Sequence, residues 1–466
     1  MLLRKALLIL SGNAAASLLL MLRNLIVARL IPVEDYGIAA TFALAMAVVE
    51  MASAFGLQQQ IVQAKEGDDP HFQAALQGFQ LLRGLASGAI LFLLAGPLAQ
   101  FMGIPQVAWA YQVLAIVPVL NALVHFDIHR LNRQMRFGPL LWNGILPALA
   151  SLLLIYPLVQ WFGDWRVMLW AILAQAAAAT LTSHLMAERR WRIVFDLSII
   201  SGSMRFGWPI LVNAILLFLV FQGDKLIIGR LLGMEALAVF AMGLTFTLTP
   251  TLVLAKSAQN FFLPRLSTAI GTADYPPLAL RTMHSIALAA LAFVTLTFLL
   301  GAPLVLFMLG DKYADLIPLI LWFAIGQGLR VMKAGPAIVA LAIGQTANAM
   351  IANLLRILAL PFAVIAAAKG ASLLDLLMIG ILAEGLGLMM SIWLVLRKSK
   401  LSRTRTFIPF ATVILSGAAV AVASWLHPVA GVIPNGWLWL LGVSGLLCAT
   451  MVVYLCGGWR EKQDKA

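Results

Sequence analysis

Apolar stretches long enough to cross a lipid bilayer follow one another along the whole chain, and short polar loops separate them. A helix needs about 20 predominantly apolar residues to span the hydrocarbon core, and these stretches have that length. The composition agrees, since 62% of the residues are hydrophobic and 11% are charged, whereas an average soluble domain carries about 25% charged residues. The sequence therefore predicts an all-α polytopic membrane protein.

We predict about fourteen transmembrane helices from the length of these stretches. Loops rich in arginine and lysine alternate with loops that are nearly free of them, and the basic loops are predicted to be cytoplasmic. Among them are the arginines at 130, 133 and 136 and those at 189, 190 and 192. Both termini are then cytoplasmic, which requires an even number of spans. The predicted spans are 6–30, 37–63, 77–102, 107–126, 139–162, 166–187, 205–232, 236–263, 283–309, 314–333, 343–367, 373–396, 408–426 and 437–456.

A repeat relates the two halves of the chain. Residues 22–40 align without a gap with residues 223–241, so that Arg29 falls on Arg230 and Glu34 falls on Glu235. Polar matches in one register favour duplication over the general similarity of apolar helices. Each unit would hold six spans, which gives the two units the same orientation in the membrane. The predicted domains are an N-lobe (1–200), a C-lobe (201–400), and a basic loop with a C-terminal helix pair and cytoplasmic tail (401–466).

Three soft motifs resemble one family of membrane proteins. They are the turn Ala28–Gly37 after the first span, the Gly56-Leu57 pair in the second span, and the basic segment His129–Phe137 after the fourth. On these residues the chain resembles the polysaccharide flippases of the multidrug/oligosaccharidyl-lipid/polysaccharide exporter superfamily. The resemblance implies two six-helix lobes that face a central cavity and rock in alternating access. It also implies a lipid-linked oligosaccharide substrate on an undecaprenyl diphosphate carrier, and a location in the bacterial inner membrane.

Basic residues inside the spans are the first candidates for a substrate site. A diphosphate with its sugars needs a polar, cationic path across hydrocarbon, and arginine suits diphosphate because its planar guanidinium donates paired hydrogen bonds. Basic residues near span ends usually reach the interface instead, which is the reading we favour for Arg29, Arg230 and Lys333. The candidates for a cationic substrate cavity are Arg23, Lys225, Lys256, Arg330 and Arg356.

Acidic and amide side chains inside the spans supply two further sets of candidates. Glu50, Asp224 and Glu384 are candidates for H⁺ or Na⁺ coupling, although each could instead pair with a basic residue of another helix. Amide side chains could bind sugar hydroxyls or join helices to each other. The amide candidates are Asn24, Gln58, Gln259 and Asn260. The sequence shows no metal-ligand spacing and no phosphate-binding loop, so we expect no cofactor and an ion or substrate gradient as the energy source.

Several functions remain open. The first is a lipid-linked oligosaccharide flippase for a surface or exported polysaccharide. Its expected partners are the glycan lipid, membrane lipids, and a polysaccharide polymerase with its export machinery. The alternatives are a multidrug/cation antiporter and a peptidoglycan-lipid flippase of the same superfamily. A membrane polysaccharide polymerase fits less well, because no loop is long enough for a catalytic extramembrane domain. The net charge of +13 lies in short loops that orient the spans, so no nucleic acid is expected.

Overall fold

The computed structural model of the protein describes residues 2–52, 55–345, 347–399 and 401. All regular elements among these residues are helical, and short 3₁₀ turns at Pro105–Val107 and Asp311–Leu316 precede two of the α-helices. The α-helices are α1 (Leu2–Leu30), α2 (Val33–Ala52), α3 (Leu57–Gln63), α4 (Pro70–Phe101), α5 (Ala108–Leu114), α6 (Ile116–Ala122), α7 (Asp127–Arg133), α8 (Gly138–Leu153), α9 (Ile155–Trp161), α10 (Arg166–Met186), α11 (Leu197–Leu231), α12 (Met234–Ala269), α13 (Tyr275–Leu309), α14 (Ile317–Ala342), α15 (Ala347–Leu358), α16 (Leu360–Ala368) and α17 (Leu373–Lys398).

The predicted membrane fold is confirmed. In the described part of the chain, nine helices are long and apolar enough to cross a membrane, and a bent helix pair at 105–133 raises the number to ten. The predicted spans 408–426 and 437–456 lie outside the described residues, so the number fourteen stays a prediction. The nine helices are Pro70–Phe101, Gly138–Trp161, Arg166–Met186, Ile210–Leu231, Met234–Ala269, Tyr275–Leu309, Asp311–Ala342, Ala347–Ala368 and Leu373–Lys398.

Each of the twelve predicted spans before residue 400 coincides with a helix or with consecutive helices, although several helices extend beyond the predicted ends. Two differences affect the interpretation. The predicted span 37–63 is broken, because Gly56 adopts a left-handed conformation with φ 64° that a helix cannot continue. The predicted span 314–333 is too short, because α14 continues to Ala342. The second difference moves Lys333 from a helix end to a helix interior.

Close contacts divide the chain between Ala241 and Met242 into two compact units. In the first unit, α8 packs against α1 and α10, and α4 packs against α5 and α6. The turn after α1 brings Gly37 of α2 against the start of α12, where a methyl group on Gly37 would collide with the backbone oxygen of Met234. Glycine is therefore required for this close approach of two backbones.

In the second unit, α14 packs against α13 and α17, and α15 packs against α17. Buried apolar side chains such as Met283, Val331, Val339 and Leu388 form its core. Close helix packing is typical of association inside a bilayer, because the hydrophobic effect does not drive apolar helices out of apolar lipid and van der Waals contacts must hold them together. The predicted duplication, with boundaries at 200 and 400, is a statement about sequence ancestry and stays a prediction.

Candidate functional site

The second unit contains a cluster of charged side chains centred on Glu384, which we call the Glu384 cluster. Glu384 lies on α17 and is 3% exposed. Arg330 of α14 donates to its Oε1 from Nη2 at 2.7 Å and from Nε at 3.1 Å. Lys333, also on α14, donates to Oε2 at 2.7 Å. Arg356 of α15 lies with Nε 3.7 Å from Oε1. Three basic groups from two helices thus surround one carboxylate on a third.

Glycines on α17 make room for these long side chains. A methyl group on Gly380 would lie 2.9 Å from Nη1 of Arg356, and one on Gly387 would lie 2.9 Å from the backbone oxygen of Ala352. The two glycines flank Glu384 on the same helix face, at spacings of four and three residues. The sequence therefore places an acid between two small residues, which lets α15 approach closely enough for its arginine to reach the carboxylate.

Three of the four charged members of the Glu384 cluster are among the site residues that the sequence predicts. Arg330 and Arg356 were candidates for the cavity and Glu384 for ion coupling, and the structure brings all three together. The reading of Lys333 as a residue at a span end was wrong, because α14 continues past it and the side chain is buried. The amide of Asn353, which sequence analysis missed, accepts from Lys333 at 2.9 Å. Both oxygens of Glu384 are in contact with cations, an arrangement that suits a nearby anion better than a bound metal cation.

The first unit contains a buried arginine with a different environment. Arg23 of α1 is 8% exposed and donates to Ser151 of α8 at 3.1 Å and to Gln175 of α10 at 2.6 Å. It also donates twice to its neighbour Asn24, from Nε at 3.2 Å and from Nη2 at 3.0 Å. No carboxylate among the described residues forms an ion pair with it. Neutral oxygens from three helices thus solvate the guanidinium without cancelling its charge.

The remaining predicted residues lie elsewhere on the helices. Asn24 belongs to the Arg23 environment, as stated above. Lys225 is half-buried on α11 beside its neighbour Asp224. Glu50 on α2 interacts electrostatically with Arg83 of α4. Gln58 is exposed in the first turn of α3. Lys256, Gln259 and Asn260 are exposed on α12 at spacings of three and four residues, and so share one helix face. Their assignment to the cavity or to ion coupling stays a prediction.

A third polar network holds the ends of α7 and α10 together, and its arginines belong to the loops that the sequence predicts to be cytoplasmic. The buried Asp127 of α7 accepts from Arg130 and from the backbone N–H groups of Glu188 and Arg189. Glu188 in turn pairs with Arg136 at 2.6 Å, and this contact holds the pKa of Glu188 below its usual value. The three-residue spacing of Asp127 and Arg130 on one helix is the sequence signal that could have predicted their pairing.

Among the described residues, no three side chains of histidine, cysteine, aspartate or glutamate lie close enough together to bind a metal ion.

A model of the polysaccharide biosynthesis protein family matches residues 26–318. The chain belongs to this family. The predicted family resemblance is thereby confirmed. The match begins three residues after Arg23 and includes all of α2 to α13, with the polar network around Asp127.

Comparison with individual relatives of this polysaccharide biosynthesis protein agrees with the family match. The succinoglycan biosynthesis transport protein ExoT of Rhizobium meliloti (strain 1021) is 24% identical over 314 residues, which cover 65% of this chain and 62% of that protein. The matched region thus spans less than two thirds of the relative's length. ExoT is a transport protein, not an enzyme.

Solved structures share the fold at low sequence identity. The lipid II flippase MurJ, in an inward closed conformation, superposes with a TM-score of 0.74 at 13% identity, over 98% of this chain and 99% of that one. An inward-facing multidrug resistance MATE family transporter of the MOP superfamily superposes with a TM-score of 0.66 at 14% identity, over 88% of this chain and 96% of that one. The chain therefore has the multi-pass helical fold of these membrane proteins.

Proposed function

We propose that the protein flips a lipid-linked oligosaccharide repeat unit across the bacterial inner membrane by alternating access, for the synthesis of a surface or exported polysaccharide. The carrier in this proposal is undecaprenyl diphosphate. The match to the family of polysaccharide biosynthesis proteins and the role of ExoT as a succinoglycan biosynthesis transport protein support the substrate class. The proposed partners are the glycan lipid, membrane lipids, and a polysaccharide polymerase with its export machinery.

The observation that carries the proposal is the environment of Arg23. A buried charge inside a membrane protein is costly, and by default it indicates a functional site. The described partners of Arg23 are neutral oxygens of Asn24, Ser151 and Gln175. A diphosphate would supply the missing negative charge and match the guanidinium with paired hydrogen bonds. The free energy of that pairing would offset the cost of holding an arginine charge in the first unit.

The Glu384 cluster also favours a negatively charged substrate. It contains three basic groups and one carboxylate. Outside the cluster, the basic candidates Arg23, Lys225 and Lys256 outnumber the acidic candidates Glu50 and Asp224. A multidrug/cation antiporter would require acidic residues to bind its cations, so the predominance of basic groups favours an anionic head group. Coupling to H⁺ or Na⁺ through Glu50, Asp224 or Glu384 remains part of the proposal.

The proposal is tested by glycan export in a strain that lacks the gene. We expect the deletion strain to accumulate a lipid-linked glycan on the cytoplasmic leaflet and to lose one surface polysaccharide. The wild-type gene should restore export, whereas Arg23→Gln should reduce the export rate roughly tenfold at equal expression, since a charge-assisted bidentate contact contributes at least about 1.5 kcal/mol.

The matched control is Arg29→Gln on the same helix. Arg29 is exposed near the end of α1, so its replacement should leave export close to the wild-type rate. Normal export of every glycan in the deletion strain would refute the flippase function. Equal export by the Arg23 and Arg29 variants would instead remove Arg23 from the substrate site and leave the function standing.

A further inference from the structure

A small pocket lies in the first unit, beside the connection between α10 and α11, and we call it the α10–α11 pocket. Its volume is about 220 Å³, and its walls come from the first two turns of α4, from His125, and from the segment Arg189–Arg192. Pockets for drug-sized molecules usually measure about 300–1,000 Å³, so this one suits a single compact group. The substrate candidates Arg23 and Glu384 do not line it.

One buried nitrogen atom of the lining residues lacks a hydrogen-bond partner. It is Nε1 of Trp191, and the indole nitrogen is always a donor. A buried donor without an acceptor costs about 1–3 kcal/mol. His125 beside it is only 2% exposed, and its ring is held by the backbone N–H of Asp127, which donates to Nδ1 at 3.1 Å, and by the backbone of Arg189.

Arginines add positive charge beside this donor. Arg189, Arg190 and Arg192 all line the pocket, and no carboxylate does. Arg189 is held by Gln73, at 3.0 Å, and by the backbone oxygen of Asp68, at 2.8 Å. Arg190 and Arg192 are exposed, and neither side chain forms a hydrogen bond or ion pair with the described residues. The pocket thus combines a buried neutral donor with exposed cationic ones, which is the chemistry that binds a phosphate oxyanion.

Large apolar side chains surround the same segment. Leu185 at the end of α10 is 72% exposed, Phe195 is 58% exposed, and Leu197 at the start of α11 is 81% exposed. Arginine and tryptophan beside exposed apolar residues are typical of the level at which lipid head groups lie. The positive-inside pattern predicts that this level is the cytoplasmic one.

We propose that the α10–α11 pocket is a binding site for a phosphate-type anion, separate from the substrate path, in which Trp191 donates to a phosphate oxygen and Arg190 and Arg192 neutralise the charge of the anion. The phosphate could belong to an anionic phospholipid, whose acyl chains would lie against Leu185, Phe195 and Leu197, or to a soluble phosphate. The site goes beyond the proposed flippase function and does not depend on it.

Native mass spectrometry of the full chain in detergent tests the proposal. The probes are phosphatidylglycerol, diacylglycerol with the same acyl chains, and inorganic phosphate as a competitor. We expect phosphatidylglycerol to bind more tightly than diacylglycerol. Trp191→Phe keeps the ring but removes the donor, and should weaken phosphatidylglycerol binding about tenfold, the range of one hydrogen bond to a charged group. The double variant Arg190→Gln/Arg192→Gln should weaken binding by at least about tenfold.

The matched control is Arg205→Gln/Arg281→Gln, which also removes two exposed arginines but leaves the pocket lining intact. It should change the affinity by less than about twofold, because distant surface charges are screened. Displacement of the lipid by inorganic phosphate would support a phosphate site whose ligand is soluble phosphate. Phosphatidylglycerol binding that resists inorganic phosphate would support a phosphate site whose ligand is a phospholipid. Equal binding of diacylglycerol, or wild-type affinity in both pocket variants, would overturn the proposal.

Discussion

Each unit buries basic side chains inside a membrane fold, but the partners of these side chains are neutral in the first unit and include a carboxylate in the second. In the first unit, Arg23 is surrounded by the neutral oxygens of Asn24, Ser151 and Gln175. In the second unit, Arg330, Lys333 and Arg356 converge on the carboxylate of Glu384. Neutral oxygens solvate a cation and leave its charge available, whereas a carboxylate neutralises part of it.

The difference indicates a division of roles between the two regions. Glu384 connects α14, α15 and α17, so the cluster contributes to the packing of the second unit as well as to its charge. The partners of Arg23 come from α1, α8 and α10, but none of them is charged. We therefore expect replacements in the Glu384 cluster to affect stability first, and replacements around Arg23 to affect transport first.

The largest expected effect follows from removing the carboxylate of the Glu384 cluster. Glu384→Gln keeps the shape of the side chain but leaves three basic groups together without their common partner. Breaking a buried ion pair by removing one member costs about 3–5 kcal/mol. We expect a large fall in the thermal unfolding midpoint, measured in one detergent by size-exclusion chromatography of heated samples.

A second variant distinguishes charge repulsion from a loss of packing. Lys333→Met in the Glu384→Gln background removes one of the three cations at similar side-chain volume, and should recover part of the lost stability. An unfolding midpoint of Glu384→Gln close to that of the wild type would contradict the proposed role of Glu384 in joining the three helices.

The membrane fold could be predicted from the sequence because apolar length depends only on composition along the chain. The twelve predicted spans before residue 400 all fall on helices for that reason. Helix ends were less predictable. The end of α14 at Ala342 lies beyond the predicted span end at 333, because the helix continues through Gly335 and Pro336, residues that transmembrane helices tolerate.

The candidate site could be predicted as a set of residues but not as contacts. Arg330, Arg356 and Glu384 were identified because charges inside apolar runs are costly. Their convergence depends on the packing of α14, α15 and α17. Arg330 and Glu384, for example, are 54 residues apart in the sequence. No local periodicity encodes a pairing over such a distance. The same reason explains why Gln175 and Ser151 were not recognised as partners of Arg23.

An intermediate effect is expected when Arg23 is given the kind of partner that the second unit has. Gln175 accepts from Arg23 at 2.6 Å, so Gln175→Glu would place a carboxylate beside the guanidinium at nearly the same geometry. The new ion pair should compete with an anionic substrate. We expect the protein to remain folded and glycan export to fall about tenfold, equivalent to roughly 1.4 kcal/mol.

The matched change in the second unit is Asn353→Asp. Asn353 accepts from Lys333 at 2.9 Å, but Lys333 already pairs with Glu384, so a further carboxylate should reduce export less. Export that is unaffected by Gln175→Glu, or reduced more by Asn353→Asp, would reverse the roles assigned to the two regions.

The smallest expected effect concerns the space that α17 leaves for Arg356. A methyl group at Gly380 would lie 2.9 Å from Nη1 of Arg356, whereas a methyl group at Gly385, on the same helix, meets no atom within 4 Å. Gly385→Ala should stabilise the protein by about 0.5–1 kcal/mol, because alanine favours a helix over glycine. Gly380→Ala gains the same propensity but displaces a guanidinium that contacts Glu384. Overpacking of this kind costs about 1–3 kcal/mol, and the lower end applies because the displaced atom ends a flexible side chain.

Gly380→Ala should therefore unfold at a lower temperature than Gly385→Ala in the same detergent. Equal unfolding temperatures would mean that Arg356 moves aside at no cost, and its contact with Glu384 would then contribute little to the second unit.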